Sequence, residues 1–356
     1  MRLLIDIGHP AHVHLFKNFA HSMIRKSHQV FFTVREKEFE IDLLKHEGFY
    51  FTSLGKHYQS KFGKVWGLFK FTFLSIITSY RFKPDIYLSH GSMYAALTSF
   101  LFRKPNIAFE DTGNWEQVRL YFPFTEAVLT STSFPINYGK KQVYYDGYHE
   151  LAYLHPNYFK PDKSIIDELG VNEGEKYFIL RFVSWDASHD IGQGGLKLEQ
   201  KRELINLLRE HGKIFISSEK KIDEEFENYK FQLAPEKMHD ALAFADLFVG
   251  EGATMASECA VLGTPAIYVN SLQRGYTTEQ EKKYGLVYNF VDGSGVRAKV
   301  QELLSDSTLK YKSEKAHKKL LSEKIDVTAF LEWFIENWPE SFRIMKGNPD
   351  YFYIFR

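Results

Sequence analysis

The sequence predicts an α/β protein made of two doubly wound, parallel-sheet domains. Three observations carry that expectation. Apolar strand-like runs alternate with amphipathic helical stretches in both halves of the chain. The segment Leu247–Val269 reads as strand, glycine turn, helix, turn, strand. At 356 residues the chain exceeds one ordinary core, so two domains of about 150 residues each are expected.

In chain order, Leu3 to Ile7 forms the first strand and ends in a loop at Gly8-His9-Pro10. A helix runs from about His14 to Lys26, with Phe16, Phe19, Ala20 and Met23 on one face. Gln29 to Val34 is the next strand, and Ile86–Ser89 and Asn106–Phe109 are later ones, with a helix from Tyr94 to Phe102 between them. Residues 147–162 lack either periodicity and hold two prolines, so the domain junction belongs there. Lys176 to Val183 opens the second unit, followed by a helix near Glu199–His211 and the strand Lys213–Ser217. Asp326 to Trp338 is a late amphipathic helix. The expected domains are 1–150, 151–325 and a C-terminal helix and tail, 326–356.

Composition narrows the function. Lys and Arg number 45 and Asp and Glu number 45, so no global field recruits nucleic acid. The single cysteine, Cys259, rules out a disulfide framework within the chain and is expected to be buried against a sheet. The start, Met1-Arg-Leu-Leu-Ile-Asp6, reaches an aspartate too early for a signal peptide, so a cytoplasmic protein is expected. Residues 61–83 mix basic and aromatic side chains. Their apolar part is too short and interrupted to cross a bilayer, which leaves a long core helix or a helix docked on a membrane surface.

In the turn after Leu247–Val249, Gly250 and Gly252 relieve Cβ clashes, and Thr254 is expected to cap the following helix. Gly263-Thr264-Pro265 then stops that helix. A helix N-terminus behind a glycine turn suits a phosphate, with Gly252, Ala253 and Thr254 as its candidate ligands. Glu258, one turn further, shares the face of Thr254 and can accept ribose hydroxyls. An ordinary strand–helix–strand unit without ligand would look the same.

This turn and helix resemble the donor site of type-B glycosyltransferases and UDP-N-acetylglucosamine 2-epimerases, where they hold the diphosphate and the glutamate holds the ribose. Asp6-Ile-Gly-His-Pro-Ala-His-Val-His14, Phe109-Glu-Asp-Thr112 and Tyr145-Asp-Gly-Tyr-His-Glu150 resemble the family of domain of unknown function 354 within that superfamily, over roughly residues 1 to 320. The resemblance implies two Rossmann-like doubly wound domains facing across a cleft (the GT-B fold), with the terminal helix returning to the first domain. It implies a nucleotide-sugar donor, UDP-linked as the first expectation, and a saccharide or lipid-linked acceptor.

Candidate residues follow. Ligands of open α/β sheets bind at the carboxyl ends of strands, which places His9, His12 and His14 near a site. His12 is the first candidate for general base or donor-phosphate contact. Glu110 and Asp111 are alternative bases, and His90, in Ser89-His-Gly-Ser92, is a candidate on the acceptor side. A metal reading of His-x-x-His-x-His lacks a convergent carboxylate set, and no Asp-x-Asp ends a strand, so no metal or other cofactor is expected. In the second unit Arg181 and Ser184 are candidate diphosphate contacts and Trp185 a candidate cover for a base or sugar ring. By analogy His239 approaches the nucleotide base, and Arg274, Thr277 and Glu279 approach the sugar.

The leading expectation is a metal-independent glycosyltransferase of surface polysaccharide or glycoconjugate synthesis. A 2-epimerase shares the fold, but its opening Gly-Thr-Arg-Pro-Glu loop is replaced here by Gly8-His-Pro-Ala-His12. A nucleotide-sugar-binding protein without catalysis is the third reading, and it would lose little on mutation of His12 and Glu110.

Overall fold

The computed structural model describes residues 1–56, 58, 61–182, 195–218 and 222–356, with only the backbone of residues 61, 62, 64 and 65. Among them the chain divides into two compact units, Met1–Tyr153 with Lys324–Arg356, and Leu154–Glu323.

The first unit is built on seven parallel strands: β1 (Arg2–Ile7), β2 (Gln29–Glu36), β3 (Phe51–Lys56), β4 (Ile86–His90), β5 (Asn106–Phe109), β6 (Ala127–Ser131) and β7 (Gln142–Tyr145). Their order is β3-β2-β1-β4-β5-β6-β7. Leu3, Leu4, Ile5 and Ile7 are all buried, as a central strand covered on both faces requires. The chain winds outward from β1 to β3, then returns to β4 and winds the other way. Loops after β1 and β4 therefore diverge, which opens a crevice at that switch point.

The second unit has β8 (Tyr177–Phe182), β9 (Lys213–Ser218), β10 (Leu247–Gly250), β11 (Ala266–Val269) and β12 (Val287–Phe290), in the order β12-β11-β10-β8-β9. Its switch point lies between β8 and β10. Phe178, Leu180, Val249 and Ile267 from the sheet pack with Leu204 and Val300 from its helices.

Several expectations need correction. The first helix spans Pro10–Arg25 rather than starting near His14. His9 caps it, its Nδ1 accepting the Ala11 N–H at 3.2 Å, and Pro10 occupies the first helical position, where a missing N–H costs nothing. His12 thus stands on a helix and not in a loop. Gly252, not Thr254, is the N-cap of the helix Ala253–Leu262, and no side chain caps it. Strands β3, β6, β7 and β12 had no clear signal, being four to six residues long and carrying polar residues such as Gln142 and Asn289. Gly263 does end its helix, in the left-handed conformation at φ 87°.

The C-terminal segment is fastened within the first unit. Asp326 caps the helix Val327–Glu336 by accepting the Ala329 N–H at 2.9 Å. That helix packs on Pro10–Arg25, and Lys26 pairs with Glu332 and Glu336 at 2.9 and 2.7 Å. Lys324, buried, pairs with Asp146 at 2.5 Å.

Candidate functional site

In the first unit, the carboxyl ends of β1, β4 and β5 bring His12, His90 and Asp111 together. Asp111 Oδ1 lies 3.1 Å from His90 Nε2, and its Oδ2 lies 3.5 Å from Nδ1 of His149. The His12 ring stacks on His90 at 4.7 Å between centroids, and His149 meets His90 edge-on at 5.2 Å. Phe109 and Tyr145 wall the His149 ring. His149 was not among the candidates; its only signal was its place in the Tyr145–Glu150 stretch.

The charges in this cluster are coupled. Burial pushes the Asp111 carboxyl up, but the charge of His90 and the bonds from His149 and His90 together bring it well below the ordinary value of 3.8. For His90 burial works downward, and Asp111, by charge and hydrogen bond, raises the ring above 6.5 nonetheless. Burial, followed by the nearby His90, His9 and Arg35, keeps His12 well below 6.5. His12 is therefore a neutral imidazole. Its Nδ1 accepts the Gly8 N–H at 3.3 Å, so in the neutral ring the proton sits on Nε2, the potential donor.

Glu110 is differently placed. One oxygen accepts the Thr112 N–H, the Thr112 hydroxyl and the Gly113 N–H at 2.7 to 2.9 Å, and the other accepts the Tyr121 hydroxyl. It is buried and holds the turn that carries Asp111. Arg35, also missed from sequence, pairs with buried Asp6 at 3.3 Å and crowds Gly8, where a Cβ would meet its Nη2 at 2.1 Å. His9 lies 3.8 Å from Glu38, and His14 packs against Tyr153.

Among the described residues, the donor atoms of His90, Asp111 and His149 form one group that could hold a metal ion, lying within 4.8 Å of one another. This group comes from the end of β4 and the segments after β5 and β7, not from His9, His12 and His14. Nε2 of His149 is buried without a hydrogen-bond partner, whereas metal-bound imidazoles normally donate through their second nitrogen. The distances are those of a hydrogen-bonded His–Asp–His array.

In the second unit, the ends of β8 and β10 lie side by side. Arg181 Nη1 donates to Ser217 Oγ at 2.8 Å, and the Glu251 N–H donates to the Arg181 carbonyl at 3.0 Å. A Cβ on Gly250 would meet Arg181 Cβ at 2.9 Å and its carbonyl oxygen at 3.0 Å, so this glycine is needed for strand packing. A Cβ on Gly252 would meet nothing closer than Arg181 Cγ at 3.8 Å. The helix Ala253–Leu262 thus starts beside Arg181 with no side chain capping its first N–H groups.

Glu258 and His239 are joined, Oε1 to Nε2 at 3.0 Å, and both are buried. Sequence had assigned them to ribose and base separately. Thr277 is buried, its hydroxyl donating to the Arg274 carbonyl at 3.1 Å, and Glu279 lies 4.0 Å from Lys283. Arg274 precedes the short helix Gly275–Glu279. Ser184 and Trp185 lie outside the described residues. Cys259 is buried and its thiol is raised well above 9.0 by burial, then by Glu258, which leaves it unreactive.

The family described as "Protein of unknown function (DUF354)" matches residues 1–328. No curated protein matches the sequence significantly. Among solved structures, an S. aureus MnaA–UDP co-structure aligns with a TM-score of 0.69 at 12% identity, covering 96% of this chain and 97% of that one. UDP-GlcNAc 2-epimerase from Neisseria meningitidis bound to UDP-GlcNAc gives 0.66 at 12%, covering 95% and 100%. The glycosyltransferase VinC in complex with DTDP gives 0.62 at 12%, covering 94% and 99%. These likenesses, with the two parallel sheets, identify the fold as GT-B.

Proposed function

This chain belongs to the DUF354 family, and from that premise we propose that it is a glycosyltransferase using a nucleotide-diphosphate sugar, UDP-linked in the first instance. The acceptor is a hydroxyl of a saccharide or lipid-linked saccharide of the kind built into surface glycoconjugates. Donor groups are assigned to the second unit: the N-terminal N–H groups of Ala253–Leu262 and the Arg181 guanidinium take the diphosphate, and the His239–Glu258 pair takes the nucleoside. Acceptor groups are assigned to the first unit.

The observation that carries this reading is Asp111, held ionised between two imidazoles while its neighbour Glu110 is saturated within its own turn. The acceptor oxygen forms a bond to the anomeric carbon as that carbon's bond to the phosphate oxygen breaks. The electron pair leaves with the nucleoside diphosphate, and the acceptor proton passes to Asp111. The His90 imidazolium positions the carboxylate, and the His12 Nε2–H donates to a substrate oxygen. Charge on the leaving group is met by Arg181 and helix N–H groups, with no metal required. A 2-epimerase needs proton-transfer groups on both faces of the sugar C2, and this cluster offers one available carboxylate.

Asp111→Asn tests the assignment. It is expected to lower turnover by about 10²–10⁴-fold with nucleotide affinity retained. Unchanged turnover, or uptake of solvent deuterium at the sugar C2 without any acceptor, would overturn it.

A further inference from the structure

The helix Lys61–Phe82 turns several aromatic side chains toward water. Its inner face carries Phe71, packed with Leu54 and Tyr94, beside small polar residues: Ser75 is 1% exposed and Ser79 0%, and Ser75 Oγ accepts the hydroxyl of Thr98 from the adjoining helix Met93–Phe102 at 3.1 Å. Its outer face is aromatic. Trp66, Phe69, Phe73 and Tyr80 are 63%, 67%, 62% and 72% exposed, and their spacing places them on one stripe. The adjoining helix adds Phe100 and Leu101 at 61% and 60%. Exposed aromatic and aliphatic side chains gathered on two adjoining helices mark an interaction surface rather than chance exposure.

Charge identifies what covers it. Residues 61–104 carry seven lysines and arginines against one acidic residue, Asp85, in a chain whose formal charge is zero. A second copy placing the same patch against itself would bring those cations together, whereas an anionic bilayer attracts them. Trp and Tyr are the aromatic residues favoured at the headgroup level, where one end is apolar and the other wet. Among the described residues no helix is long and apolar enough to cross a membrane, so the face can only lie on one.

We propose that this face docks the protein on an anionic lipid surface, aromatic side chains in the interface and the basic residues against headgroups. The docking stands independently of the proposed transferase reaction. Where that reaction holds, it presents to the bilayer the unit that carries the acceptor groups, since the helices Met93–Phe102 and Trp115–Tyr121 begin just beyond His90 and Asp111.

Co-sedimentation of the full chain with phosphatidylcholine vesicles, with and without phosphatidylglycerol, tests this without any activity assay. The protein is expected to pellet with the anionic vesicles and to be released by salt. Trp66→Ser with Phe69→Ser and Phe73→Ser is expected to weaken that partition by about tenfold or more at an unchanged melting temperature. Arg81→Glu with Arg103→Glu should do the same through charge and guards against a folding defect in the first variant. The proposal fails if the protein ignores anionic vesicles, or if both variants bind like the parent. It also fails if the parent is a dimer in solution that the aromatic variant makes monomeric without loss of lipid binding.

Discussion

Glu110 and Asp111 are adjacent carboxylates that do different work because of where their partners come from. Glu110 is saturated by its own loop and Tyr121, so Glu110→Gln is expected to act mainly on stability, by about 1–3 kcal/mol in thermal or denaturant unfolding. Asp111 is partnered only by imidazoles from other loops. Its folded pKa is lowered, so its contribution to stability is present above about 3.8 and lost as pH falls through the folded value. His90 is raised, so its contribution is present below about 6.5 and lost as pH rises through its folded value. Turnover should therefore fall on the acid side as Asp111 takes a proton and on the basic side as His90 loses one. In His90→Gln the acid limb should move to higher pH, which a pH–rate profile reads directly.

The β10 turn shows how one element divides its glycines between fold and ligand. Gly250 is closed in by Arg181, whereas Gly252 faces open space at the head of a helix. Gly250→Ala is expected to cost about 1–3 kcal/mol by overpacking. Gly252→Ala should cost at most about 1 kcal/mol as a poorer cap, yet lower nucleotide diphosphate affinity measured by calorimetry. Equal effects of the two on binding and on stability would remove the phosphate-site reading. The helix Lys61–Phe82 teaches a different lesson. Its sequence allows a core helix as readily as a surface one, and the burial of Phe71, Ser75 and Ser79 shows which face turns inward.

Across the whole chain, two units are described and the first is completed by residues far along the sequence. Buried Lys324 reaches Asp146, which also accepts the Thr132 hydroxyl at 3.1 Å. Asp146→Ala removes the carboxylate that faces the buried Lys324 ammonium and is expected to destabilise the protein by about 1–3 kcal/mol, read in chemical unfolding. Donor binding should raise the melting temperature with the logarithm of ligand concentration, adding about 2.7 kcal/mol of stability at a hundredfold excess over Kd, and chelator should not change it. A shift that chelator abolishes would assign a metal to the His90–Asp111–His149 group instead.

By itself the sequence determined the alternation of strands and helices, the glycine turn at 250–252, the stop at Gly263 and the burial of Cys259. Each is a local pattern, set by residue type and periodicity and, at Gly263, by left-handed backbone that glycine adopts at low cost. It also placed His12, His90 and Asp111 at strand ends. Tertiary structure decided the rest, because it depends on partners distant along the chain. That His149 faces Asp111 and that Glu258 holds His239 follow from which strands lie side by side. Short edge strands such as β7 and the inward face of Lys61–Phe82 were likewise settled by neighbours, since four residues carry too little periodicity and a mixed helix too little contrast to orient themselves.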